Sequence, residues 1–323
     1  MKSLLTSLCC AFFSLQVLAQ SFVTDTFTLT DNSRQRSIPV KLYRPATLTG
    51  LHPVIIFSHG LGGSREAAGY LGEALATHGY VCFFIQHHGS DETVWKGKPL
   101  TQAGAALKNS LKEPANFTNR AADIPFIVQA LQQLQQQNAL LKGHLDLESI
   151  GMAGHSYGAR STMIAAGELL GGRIDQYTVP QIKAGLVLSP NTPEKVNGNL
   201  KDYYANIRIP LFHMTGTKDD YPLDRTGNFD PAQRQLPYQH ISSSPQYLLV
   251  LNGATHATFG GGSRPRFGAA NTRHLSAITT GAIAFFDAYL KNDKQQLQWL
   301  QQQYSNSLQK GDVFTYKATT AAQ

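Results

Sequence analysis

Several stretches of this chain are apolar almost without a break: "VIIFSHG" after Pro53, "YVCFFIQ" from Tyr80, "KAGLVLSP", "IRIPLFHMTG" and "PQYLLVLNG". Unbroken runs of this length suit strands covered on both faces, and their alternation with helical stretches predicts a parallel sheet. The helical stretches fall before His78, over Asn119 to Asn138, over Ala159 to Leu170 and over Asn271 to Lys291. Residues 22 to 44 alternate instead, as two antiparallel strands turning at "DNSRQR". The Gln-rich "QALQQLQQQNALL" keeps its leucines at helical intervals and reads as an amphipathic helix, not as low complexity. Gly89 to Phe117 and Tyr221 to Ser244 are the least periodic segments. Both follow strands, where α/β proteins build their binding crevices.

The first residues combine Lys2, an apolar run from Leu4 to Leu18 and a small residue, Ala19, before Gln20. This is the pattern of a secretory signal peptide over residues 1–19, leaving residues 20–323 as a single α/β domain, with a C-terminal helix and tail after about residue 293. The run is too short and too interrupted for a membrane span, which needs about 20 apolar residues. Cys9 and Cys10 belong to that segment, so only Cys82 remains, inside an apolar run, as a buried thiol without a disulfide partner. The formal charge of +7 is scattered, with no basic run, which excludes a nucleic-acid footprint. Export places the protein in the periplasm or the medium. The sequence does not set an oligomeric state.

"GHSYG", Gly154 to Gly158, lies between a short apolar strand and an alanine-rich helix. G-x-S-x-G at a strand-to-helix corner is the nucleophile elbow, which holds the serine hydroxyl above the sheet edge. A serine needs a base and an acid that orients the base, in the chain order Ser, Asp or Glu, His. Ser156 is followed by Asp219 and Asp220 after one apolar strand and by His256 after the next. Asp219 is favoured as the acid over Asp220, which reads equally as a turn carboxylate before Tyr221-Pro222. Asp123, Asp146 and Asp175 fall outside the strand-end position and read as caps or turn residues. The oxyanion of acyl transfer needs two aimed backbone N–H groups. Tyr157, next to the nucleophile, supplies one; Leu61, among Gly60, Gly62 and Gly63, supplies the other.

Taken together, "FSHGLGGSREAAGYLGEALATHGYVCFFIQHHGSDE", "GMAGHSYGA", "GTKDD" and "GATHATF" resemble the exported bacterial α/β-hydrolases related to platelet-activating-factor acetylhydrolase. More distantly they resemble cutinase-like polyester hydrolases and dienelactone hydrolases. The resemblance implies the α/β-hydrolase fold, a mostly parallel central sheet with helices on both faces. It also implies serine carboxylic-ester hydrolysis of a small-molecule or lipid ester, without cofactor or metal. Dienelactone hydrolases carry cysteine at the elbow where this chain has Ser156, and the C-terminal disulfide of cutinase-like relatives cannot form here.

His87, His88, Asp91 and Glu92 form a metal-like set. The resemblance places them instead in a loop at the mouth of the site, hydrogen-bonding its neighbours. Trp95 reads either as a pocket wall or as a loop anchor. A serine peptidase of the same fold and a non-catalytic binding protein are the alternative functions. With Asp219 beside it, His256 is expected to titrate somewhat above 6.5, so that activity climbs over roughly pH 6 to 8.

Overall fold

The structure is a computed structural model that describes residues 21–170, 175–192, 199–224, 227–262 and 271–319. The proposed signal segment, residues 1–19, lies outside the described residues. Nine strands form one sheet: β1 (Phe22–Asp31), β2 (Arg36–Pro45), β3 (His52–Ser58), β4 (Val81–Ile85), β5 (Leu145–His155), β6 (Ile182–Leu188), β7 (Leu211–Lys218), β8 (Gln246–Thr255) and β9 (Val313–Lys317). Their order is β1-β2-β4-β3-β5-β6-β7-β8-β9. From β4 through β8 every pairing is parallel. The outer pairings β1/β2, β2/β4 and β8/β9 are antiparallel.

Alternation within the apolar runs explains their continuity. Ile55 and Phe57 of β3 and Cys82 and Phe84 of β4 join one core cluster, with α1 (Gly69–Thr77) and α5 (Thr272–Leu290) packed over it. Val54, Ile56, Val81, Phe83 and Ile85 join the other, with α3 (Pro114–Gln137). Each run is apolar at every position because both of its faces are covered, the pattern of parallel strands between helix layers. This is the α/β-hydrolase architecture. Burial pushes the Cys82 thiol up, so it stays protonated and inert.

One of the two segments read as aperiodic differs from the sequence reading. Leu100–Lys112 forms a helix, α2, and α3 begins at Pro114, so most of the stretch read as aperiodic is helical. The second aperiodic stretch agrees with that reading, its described residues containing a short 3-10 turn, Pro231–Gln235, and one helical turn, Leu236–His240. The C-terminal tail forms a helix, Lys294–Gln302, as expected, and then adds β9 to the sheet edge. Among the described residues no helix is long and apolar enough to cross a membrane.

Candidate active site

β5 ends at His155 and α4 (Tyr157–Ala166) begins two residues later, leaving Ser156 alone at the corner. Ser156 sits at φ 56°, ψ −113°, a strained backbone for a residue with a side chain. Neither flanking glycine has the positive φ; both are required by space. A Cβ at Gly154 would run into the carbonyl of Gly158, and one at Gly158 into the carbonyl of Ser58. The elbow therefore packs backbone against backbone. Ser156 N–H donates to Leu188 O at 2.9 Å, tying the corner to β6.

His256 opens a single helical turn directly after β8, fixed by a reciprocal Thr255–Thr258 capping box. Its Nε2 lies 2.9 Å from Ser156 Oγ and its Nδ1 2.8 Å from Asp219 Oδ1. Asp219 follows β7 and is fully buried, whereas Asp220 is exposed. The three side chains selected by strand-end position thus meet in one relay. Asp219 Oδ1 also accepts from Ser189 Oγ at 2.7 Å and faces Arg234 Nε at 2.8 Å, while Oδ2 accepts from Thr215 Oγ1 at 2.8 Å. Burial opposes ionisation of this carboxyl, yet the donors from His256, Arg234 and Ser189 hold it below the usual carboxylate range. For His256 burial dominates: the ring lies below its ordinary value despite Asp219, with the Arg234 charge adding to the depression. This reverses the direction expected from the sequence, because a partner carboxylate raises a histidine only where desolvation does not exceed it. His155, pulled down to about 3 by burial and by His256, is neutral and donates from Nε2 to His256 O at 3.0 Å.

Ser189 and Arg234 escaped the sequence reading. Ser189 occupies the same post-strand position as Ser156 and Asp219, here after β6, and also adopts a positive φ of 54°. That position was its available signal. Arg234, fully buried, comes from the short turn Pro231–Gln235 and donates to the carbonyls of Asp219, Asp220, Ser189 and Pro190 and to the Asn191 side chain. No local motif marks it.

The glycine-rich loop after β3 lies against the elbow: a Cβ on Gly60 would stand 3.4 Å from Ser156 Cβ. Its carbonyls are held from behind. His59 Nδ1 donates to Gly60 O at 2.7 Å, Trp95 Nε1 to Gly62 O at 2.7 Å and Glu92 N to Gly63 O at 2.7 Å. Trp95 is thus a loop anchor. The Leu61 amide donates to no acceptor among the described residues, and Tyr157 brings its amide to the N-terminus of α4 beside Ser156.

The metal-like set does not converge. His87 is fully buried and points Nδ1 to Asp123 Oδ2 at 2.8 Å and Nε2 to Ser58 Oγ at 2.9 Å. His88 is exposed, and Asp91 accepts from Gln86 and Thr93. Asp123, read from sequence as a cap or turn residue, is instead a buried acid inside α3, bonded by Arg34, Arg36 and His87. These donors draw its pKa down to about 2 against the opposing effect of burial. Its partners come from β2, the β1–β2 turn and the segment after β4, a convergence that no local spacing reveals. Asp175 does sit at a turn, its carbonyl accepting from Thr178 N, whereas Asp146 lies in the first residues of β5, at an irregularity of that strand where its side chain accepts from Glu148 N.

The family description "Platelet-activating factor acetylhydrolase, isoform II" matches residues 17–138, which include the glycine-rich loop and precede the elbow. The platelet-activating factor acetylhydrolase of Cavia porcellus is 23% identical over 312 residues, covering 85% of this chain and 64% of that protein. The corresponding protein of Canis lupus familiaris is 21% identical over 238 residues, covering 64% of this chain and 48% of its own length. The chain therefore spans about half to two thirds of the length of these relatives. The chain thus has the α/β-hydrolase fold in its sheet order and elbow, and it is similar to the platelet-activating factor acetylhydrolases.

Proposed function

We propose that this protein is an exported serine esterase that cleaves carboxylic esters, with short acyl groups preferred, through an acyl-enzyme. The relay from Ser156 through His256 to Asp219 carries the reading, with separations of 2.9 and 2.8 Å. Ser156 Oγ attacks the ester carbonyl while His256 Nε2 takes its proton. The amides of Leu61 and Tyr157 hold the oxyanion, and His256 then protonates the leaving alcohol. Water repeats the cycle on the acyl-serine. Asp219 stays ionised and keeps the Nδ1–H tautomer. The relatives are named for acetyl-ester hydrolysis, which supports a short acyl group and a lipid or small-molecule ester. Residues 1–19 act as the cleaved export signal, and residues 20–323 form a single domain.

Fluorophosphonate labelling and aryl-acetate turnover test the reading. Ser156→Ala should abolish labelling and lower turnover by roughly 10⁴-fold or more while leaving the fold intact. Asp219→Asn should cost about 10³- to 10⁴-fold in kcat, since the wrong tautomer then faces Ser156, and Asp220→Asn should cost little. Near-normal turnover in Ser156→Ala would remove the mechanism; equal losses in the two aspartate variants would remove the assignment of Asp219.

A further inference from the structure

Arg120, in the second turn of α3, is 1% exposed and sits between the two segments that carry the proposed oxyanion donors. Its Nη2 donates to Ser58 Oγ at 2.9 Å and to the carbonyl of His59, at the root of the glycine-rich loop. Nη1 donates to Ser90 Oγ at 2.9 Å, and the Ser90 carbonyl in turn accepts from Gly62 N at 2.8 Å. Nε donates to Ser161 Oγ at 2.9 Å, one turn along α4 from the elbow. The guanidinium carbon lies 4.7 Å from the centre of the Tyr157 ring. One side chain thus grips the loop of Leu61 from two directions and the first turn of α4 from a third.

Every hydrogen-bond partner of Arg120 is a neutral oxygen, and no ion pair among the described residues includes it. The acids near enough to favour the charge are engaged elsewhere: Asp123 by Arg34, Arg36 and His87, and Asp91 by Gln86 and Thr93. Burial pulls the guanidinium down to about 10, which still leaves it charged at neutral pH. A buried charge without a direct ion pair is costly even with carboxylates at a distance, and a fold retains it most readily where it serves another purpose. A fixed cation behind two amides that face a developing negative oxygen has such a purpose, because preorganised charge in a dry site stabilises the transition state more than the ground state.

Resting on the esterase reading, we propose that Arg120 is a positioning residue for the oxyanion hole: it locks the Leu61 loop against the Tyr157 turn and places a positive charge, held by no direct ion pair, behind both amides. The test uses the full chain and counts active sites by end-point fluorophosphonate titration, so that misfolded molecules drop out of kcat. Per titrated site, Arg120→Met should lower kcat for p-nitrophenyl acetate by about 10- to 100-fold, with KM changed by less than about threefold. Affinity for a trifluoromethyl ketone, whose adduct carries the oxyanion, should fall in step. Arg120→Lys, which keeps the charge, should recover part of the loss. Ser90→Ala, which keeps the guanidinium and removes one anchor, should cost about 3- to 10-fold in kcat, and it decides the matter with Arg120→Lys if Arg120→Met does not fold. Fewer titrated sites with an unchanged kcat per site would reduce Arg120 to a packing role and overturn the proposal. Failure of the wild-type protein to titrate, or equal labelling of Ser156→Ala, would instead overturn the esterase reading.

Discussion

His256 is caught between a carboxylate that favours its protonation and a buried setting, with Arg234 nearby, that opposes it. The opposition prevails, so the neutral imidazole that the proposed mechanism requires persists below pH 6.5. The acid limb of kcat/KM should accordingly have its midpoint below 6.5, rising with pH through the depressed pKa of the free enzyme. A pH profile with an aryl acetate measures it, and a midpoint above 7 would contradict the burial argument. Ser156, Asp219 and His256 were legible because each follows a readable apolar strand in a required order. Arg234, Arg120 and Asp123 were not, since their partners come from segments remote in sequence and only folding brings them together; Ser189 also follows an apolar strand, but has no part in the required order. For Asp123 the local reading failed for a physical reason: an acid within a helix pattern looks like a cap until two arginines and a buried histidine are packed around it.

At the scale of elements, the parallel strands were legible because burial on both faces leaves no polar position to blur them. The helix α2 was not, although Leu100, Ala103, Leu107 and Leu111 recur at helical intervals: the three leucines are spread thinly among small and polar residues. The elbow between β5 and α4 gives the sharpest test of a backbone packing requirement. Gly158→Ala drives a methyl into the Ser58 carbonyl, which cannot rotate aside, whereas Gly79→Ala, at φ +89°, meets nothing within 4 Å. Urea unfolding should show a loss above about 3 kcal/mol for Gly158→Ala, beyond ordinary overpacking. Gly79→Ala should lose only about 1–2 kcal/mol, the cost of a left-handed backbone. Similar losses in the two variants would show that the elbow yields.

Across the whole molecule, the C-terminal segment is part of the core, not an appendage. Leu300 and Tyr304 are fully buried, and Phe314 packs edge-on to Phe212 and Tyr304 while stacking with Tyr247. β9 also supplies the outer partner of β8, the strand that delivers His256. Ending the chain after Asp293 removes several large buried side chains at about 1.5–3 kcal/mol each, a sum comparable to the whole net stability of a domain. The truncated protein should be insoluble or lack a cooperative urea transition, and native-like unfolding would refute this. The same molecule holds two serine–histidine–aspartate relays of matching dimensions. Ser58–His87–Asp123 spans 2.9 and 2.8 Å, as does Ser156–His256–Asp219. A geometric template for hydrolases would return both and could not rank them by distance. What separates them is that Ser58 is sealed from solvent and its oxygen is already claimed by a guanidinium, so its lone pair has nowhere to go and nothing to attack.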